Sequence, residues 1–227
     1  MRFLTFIYFL SIAYLVSAQS QNIIGSAQQQ NGTAGFFGTL MTKKEMNTTI
    51  DGSPYINSYW KPGILKLQND TEVNVNLLNY NVYENSLTYK EQDKEYLIST
   101  YSDLKQFVIG NDVFVYLYSD HSKDIYQLLS DGPIRLLKRY YCRILMGMES
   151  KGIIGATNDK YMMNDDLYIQ KKGLQPDGFK TRKRELFKLM DDKKEEIRSY
   201  IDKNGLNIHK EEDLILVFDH YNKLISM

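Results

Sequence analysis

The chain of 227 residues has one cysteine, one tryptophan, three histidines and four prolines, and its 28 basic and 28 acidic residues cancel. A lone Cys142 excludes an intramolecular disulfide and every paired-cysteine metal or redox motif. Cys142 alternates with apolar residues and reads as a small buried hydrophobe rather than a nucleophile. Balanced charge leaves no net field to draw nucleic acid, which is not expected as a partner. No His-Glu-x-x-His, phosphate loop, Gly-x-Ser-x-Gly elbow or calcium loop occurs, so no cofactor or metal is expected.

The histidines do not assemble a site on paper. His209 and His220 lie eleven residues apart, about 16 Å along a helix at 1.5 Å per residue, too far to share a zinc ion. His121 stands in Ser119-Asp120-His121-Ser122, where acid, imidazole and hydroxyl are adjacent. Triads converge in space and not in sequence, so a solvated turn is the expected reading and a hydrolase using His121 the minor one. Asp165-Asp166 is a carboxylate pair of the kind glycoside hydrolysis needs, but the polar triplet Asn164-Asp165-Asp166 reads as a hairpin turn, where neighbours point apart.

What is present begins with an address. Arg2 precedes an apolar run, Phe3 to Val16, that is too short for a lasting membrane span and ends at Val16-Ser17-Ala18, small residues suited to signal peptidase. Residues 1–18 are therefore expected to be a signal peptide. No cysteine follows to accept a lipid, so a soluble exported chain without a transmembrane span is expected. Residues 19–52, rich in Gln, Asn, Gly, Ser and Thr, read as a flexible polar lead-in. Three Asn-x-Thr triplets, at Asn31, Asn47 and Asn69, read as chance matches to the short glycosylation pattern.

Residues 53–178 carry strand patterns separated by short turns. Ile64–Gln68 and Glu72–Leu78 flank Asn69-Asp70-Thr71, with Val73, Val75 and Leu77 alternating against Asn74 and Asn76. Leu104–Ile109 and Val113–Ser119 flank a turn at Gly110-Asn111-Asp112, and Tyr161–Met163 and Leu167–Gln170 flank the triplet at 164–166. Eighteen tyrosines suit half-buried strands. Consecutive strands without intervening helices imply a mainly β fold, an antiparallel meander forming a sheet or partly closed roll.

The longest pattern, Ile134–Met146, sets Ile134, Leu136, Lys138, Tyr140, Cys142, Ile144 and Met146 on one face and Arg135, Leu137, Arg139, Tyr141, Arg143 and Leu145 on the other. Arg135, Arg139 and Arg143 are then about 13 Å apart along a strand, a candidate anion-binding track. Arginine stems covering apolar neighbours are the simpler reading. A helix starting at Pro133 is the competing reading of this segment.

After Pro176-Asp177-Gly178 the composition turns charged and the apolar period becomes helical, so residues 179–227 are expected to be a subdomain of three short α-helices. Leu186, Leu189 and Met190, then Ile197, Tyr200 and Ile201, then Leu214, Val217, Phe218, Tyr221 and Leu224 form the stripes, with Gly205 as a stop and Asn207 or His209 as the last cap. Lys180, Arg182, Lys183 and Arg184 sit at a helix start, where cations oppose the dipole, and are candidates for an anion or partner.

Gly52-Ser53-Pro54-Tyr55-Ile56-Asn57, Asn79-Tyr80-Asn81-Val82-Tyr83 and the tail from Asp192-Lys193-Lys194-Glu195 through Glu211-Glu212-Asp213-Leu214 to Tyr221-Asn222 resemble a group of uncharacterised, signal-peptide-bearing, β-rich proteins of the Bacteroidota. The resemblance implies a Gram-negative envelope location, periplasmic or extracellular and including association with the outer membrane, and supplies no activity. The reading reached is an exported, non-catalytic envelope protein that binds a surface component or serves structurally, with a periplasmic carrier of an apolar ligand as the alternative. N-terminal sequencing of the exported protein is expected to begin at Gln19; an intact Met1 on a cytoplasmic pool would refute the leader.

Overall fold

The computed structural model describes residues 50–92, 94–98, 103–119, 122–148 and 157–226. The expected leader, nearly all of the polar lead-in and His121 lie outside the described residues. The described chain is mainly β, an eleven-stranded mixed sheet that is not closed, with three helices towards the C-terminus.

The strands are β1 (Ile50–Asp51), β2 (Lys61–Leu67), β3 (Glu72–Asn81), β4 (Ser86–Glu91), β5 (Lys94–Leu97), β6 (Leu104–Ile109), β7 (Asp112–Ser119), β8 (Ser122–Ser130), β9 (Ile134–Leu145), β10 (Asp159–Lys171) and β11 (Asp177–Phe179). Their order is β1-β10-β9-β8-β7-β6-β2-β3-β4-β5, with β11 also beside β10. Two antiparallel meanders, β2–β5 and β6–β10, thus run in opposite directions from a shared β2–β6 seam, and only β1 pairs in parallel.

The sheet rolls over on itself. Tyr80 of β3 and Phe114 of β7 are three strand positions apart, about 14 Å in a flat sheet, yet their ring centroids are 6.2 Å apart. Tyr83, beyond β3, meets Tyr161 of β10 at 5.6 Å across six positions. The concave side is filled by Leu78, Leu87, Phe107, Ile109 and Phe114, with Phe107 stacked on Phe114 at 4.9 Å. Residues 50–57 strap the opening: Ile50 and Asp51 pair with Asp159 and Lys160, while Ile56 donates to the Tyr80 carbonyl and the Val82 amide donates to that of Pro54.

Two strand expectations are corrected. The alternation at Val73 and Val75 does not continue to Leu77, which is 39% exposed, while Leu78 is wholly buried. The ladder slips between Lys61 and Gly63, so two residues of β3 oppose Pro62 alone, a bulge that flips the phase and accommodates a proline within a paired strand. Gly63 has no room for a side chain there, since a Cβ would lie 2.6 Å from the Val108 carbonyl oxygen. Nor is Asn164-Asp165-Asp166 a turn. β10 runs unbroken through it, paired to β9 from Lys160↔Leu145 to Lys171↔Ile134, and the three side chains stand exposed on the strand. The segment 134–146 is a strand, not a helix, up to Leu145.

The helices are α1 (Lys183–Leu189), α2 (Lys194–Asn204) and α3 (Glu211–Ile225), with a 3-10 turn at Asp191–Lys193. Gly205 ends α2 at φ +63, as its position required. The expected side-chain cap on α3 does not form: Lys210 is the N-cap, and Asn207 spends its carbonyl oxygen on the His209 amide. Leu214, Val217, Phe218 and Tyr221 are buried against Leu186, Met190, Ile197, Ile201 and Phe179, and against Ile134 and Leu136 of β9. Helices this short are marginal alone, and here the sheet completes their core.

Asn222 secures that contact. Its Oδ1 accepts the Ile134 amide at 3.0 Å and its Nδ2 donates to the Ile134 carbonyl at 2.8 Å, so one side chain satisfies both groups as a neighbouring strand would. A Cβ on Gly132 would lie 2.6 Å from the Asn222 Cγ, and Gly132 holds φ +147, so the turn can hold only glycine without strain. Nearby, Ser130 donates to Asp219 at 2.6 Å. Asn222→Leu keeps the volume but strands two buried backbone groups, and is expected to cost about 2 to 4 kcal/mol. A loss under about 1 kcal/mol in equilibrium urea unfolding would show that the clamp is dispensable.

Candidate binding groove

Leu167 pairs with Phe179, and the chain after β11 then turns away from β10 towards α1. The wedge left between them is an open groove of about 550 Å³, lined by Asp165, Asp166, Leu167, Lys180, Thr181, Arg182, His209 and Glu211 among others. Its charges are mixed and mostly committed. Glu211 ion-pairs with Lys138, which is buried, and Arg182 lies 3.8 Å from Glu185. The imidazole Nδ1 of His209 sits 3.5 Å from the Thr181 hydroxyl. Asp165 and Asp166 have no ion pair among the described residues.

Below the groove, polar groups pass between the two halves of the core. The Lys138 ammonium lies 5.5 Å from the Tyr140 ring centroid, Tyr140 donates to Gln127 at 2.6 Å, and Gln127 donates to Asp112 at 2.9 Å. Burial, and then the carboxylates of Glu211, Asp165 and Asp112, push the Tyr140 phenol well above its ordinary value, so it stays a neutral donor.

The basic candidates of the tail divide. Lys180 and Arg182 line this groove, whereas Lys183 shares a separate recess with Ile201 and Ile208, and Arg184 another with Lys188, Lys194 and Arg198. They do not form one cluster.

Arg135, Arg139 and Arg143 share the convex face of β9, and each is occupied. Arg135 donates to Asp131 at 2.8 Å and Arg139 to Asp124 at 2.7 Å, while Arg143 lies 3.6 Å from the Met162 sulfur. Arg139 also stacks near Tyr126 and Tyr141, at 5.9 and 5.0 Å, beside the bonded hydroxyls of Tyr141 and Tyr168. Burial opposes the Arg139 charge, but Asp124 and the surrounding phenols outweigh it and move its pKa up. On the same face Leu137 is wholly buried, packed with Val115 and Tyr126.

No three His, Cys, Asp or Glu side chains converge to hold a metal among the described residues. His220 stacks on Tyr200 at 3.9 Å, and burial pushes the half-buried Cys142 thiol up, away from the reactive thiolate. Sequence reading missed the groove because Asp165 and Asp166 were assigned to a turn; the signal available was Lys138, the one charge on an apolar strand face, which needed a carboxylate from elsewhere. No protein-family model, curated protein or solved structure matches this chain.

The Asp124–Arg139 pair, with the carboxylate 6% exposed and the guanidinium 30%, is a local determinant of stability. Asp124→Ala leaves a partly buried cation unpaired and is expected to cost about 2 to 3 kcal/mol, less than for a fully buried pair. Arg135→Ala, at an exposed pair, is expected to cost under about 1 kcal/mol in the same urea titration.

Proposed function

We propose that this chain is an exported, non-catalytic protein of a bacterial cell envelope that acts by binding another envelope component at the groove between β10 and the helical tail. The observation that carries the reading is the groove itself: it is open, its walls come from both the sheet and the tail, and two of its carboxylates have no ion-pair partner among the described residues. The amino-terminal leader pattern and the resemblance to Bacteroidota envelope proteins supply the compartment. No helix among the described residues is long and apolar enough to cross a membrane.

A carrier of an apolar ligand would need space inside the roll, and Leu78, Leu87, Phe107 and Ile109 fill the concave side without exposure. A hydrolase would rest on His121 alone. The test is site-specific photo-crosslinking in intact envelopes, with the reactive residue at Thr181 in the groove or at Asn69 in the distant β2–β3 turn. A discrete adduct at Thr181 and none at Asn69 is expected, and His121→Ala is expected to leave it unchanged. Equal labelling at both positions, or loss of the adduct with His121→Ala at unchanged stability, would overturn the binding reading.

A further inference from the structure

We infer that the open edge of β10 between β1 and β11 takes up a short extended segment of a partner protein, bearing lysine or arginine, as an added strand. The inference rests on the binding reading above and names the partner's form and chemistry.

β9 occupies one side of β10 from Lys160 to Lys171. On the other side β1 pairs only with Asp159 and Lys160, and β11 only with Leu167, Tyr168 and Ile169. Residues Tyr161 to Asp166 therefore have no strand on that side among the described residues, a stretch of about 20 Å at roughly 3.3 Å per residue. Which backbone groups face the opening follows from the clamp. Ile134 gives both its amide and its carbonyl to Asn222, so in the pair Ile134↔Lys171 the Lys171 groups also point away from the facing strand, and the Lys171 carbonyl accepts from Leu174. Alternation along β10 then turns the amides and carbonyls of Met163 and Asp165, and the carbonyl of Tyr161, to the open side, the Tyr161 amide facing Asp51 of β1. Unpaired strand edges of this kind template the addition of another strand.

The flanks set the size of the occupant. β1 leaves β10 at Gly52, at φ +84, and β11 diverges after Phe179, so both neighbouring strands end at the limits of the gap. A second copy could not dock β10 there, because its thirteen residues would collide with β1 and β11. Only about five or six extended residues fit. Charge sets the chemistry: Asp165 and Asp166 project to opposite faces of the strand, exposed and without ion pairs among the described residues, whereas Glu211 and Arg182 at the adjoining groove are already paired. Lys180 is the remaining groove cation. A strand with basic side chains meets an aspartate on either face, and an acidic one meets only repulsion.

The test uses the purified chain and fluorescein-labelled hexapeptides read by anisotropy: alternating Lys-Val, alternating Glu-Val, and the Lys-Val peptide N-methylated at alternate residues. The Lys-Val peptide is expected to bind at least about tenfold more tightly than the other two, a tenfold step being about 1.4 kcal/mol. Asp165→Pro removes an amide facing the opening and spares the β9 ladder, so it is expected to abolish binding with an unchanged melting temperature; Asp165→Asn is expected to weaken it about tenfold at low salt. Equal binding of the N-methylated peptide, or binding untouched by Asp165→Pro in a folded variant, would overturn strand addition. If no peptide binds while Thr181 still crosslinks in envelopes, the strand inference falls and the groove reading stands.

Discussion

The amide of Asn222 is the contact on which the C-terminal half of the fold depends. Three short amphipathic helices have too little shared surface to hold a position alone, and their apolar stripes would accept many arrangements against a sheet. Two hydrogen bonds to one residue, Ile134, from a side chain that Gly132 leaves room for, select one arrangement. The Ser130 hydroxyl and Asp219 add a second fixed point one helical turn away. Once α3 is placed, Glu211 at its start reaches Lys138, and the far wall of the groove is set.

The same registration fixes what β10 offers to its surroundings. Because Ile134 turns its backbone groups to α3, the alternation along the β9–β10 ladder is determined, and with it which residues of β10 face outward. The rolled sheet does the rest. Residues 50–57 bridge from β10 to β3 and leave β10 after two paired residues, so among the described residues the edge is covered at both ends and open in the middle.

Charge is handled differently on the two faces. On the convex side the arginines of β9 meet carboxylates or a sulfur supplied by the neighbouring strands or the β8–β9 turn. On the concave side the buried Lys138 takes its carboxylate, Glu211, from the helical tail. Asp165 and Asp166, without ion pairs among the described residues, are exposed at the strand edge, where solvent covers the cost of their charge.

Much of the fold was legible in the sequence. Short alternating runs between turn residues determined the meanders, and stripes of three and four determined the helices of the tail, because strand and helix periods are local properties of the chain. Two misreadings share a cause. Leu77 and Asn164-Asp165-Asp166 were assigned by local pattern, but a bulge opposite Pro62 reversed the phase of β3, and an unpaired edge let three polar residues stand in mid-strand. The groove was not legible, since its walls come from residues 165 to 166, 180 to 182 and 209 to 211, which only packing brings together. By itself the sequence determined the class of fold, a run of antiparallel strands followed by three helices, and the absence of paired-cysteine chemistry. Tertiary structure decided which charges are spent internally and which backbone edge is left unpaired among the described residues, because both depend on distances between segments that no local period encodes.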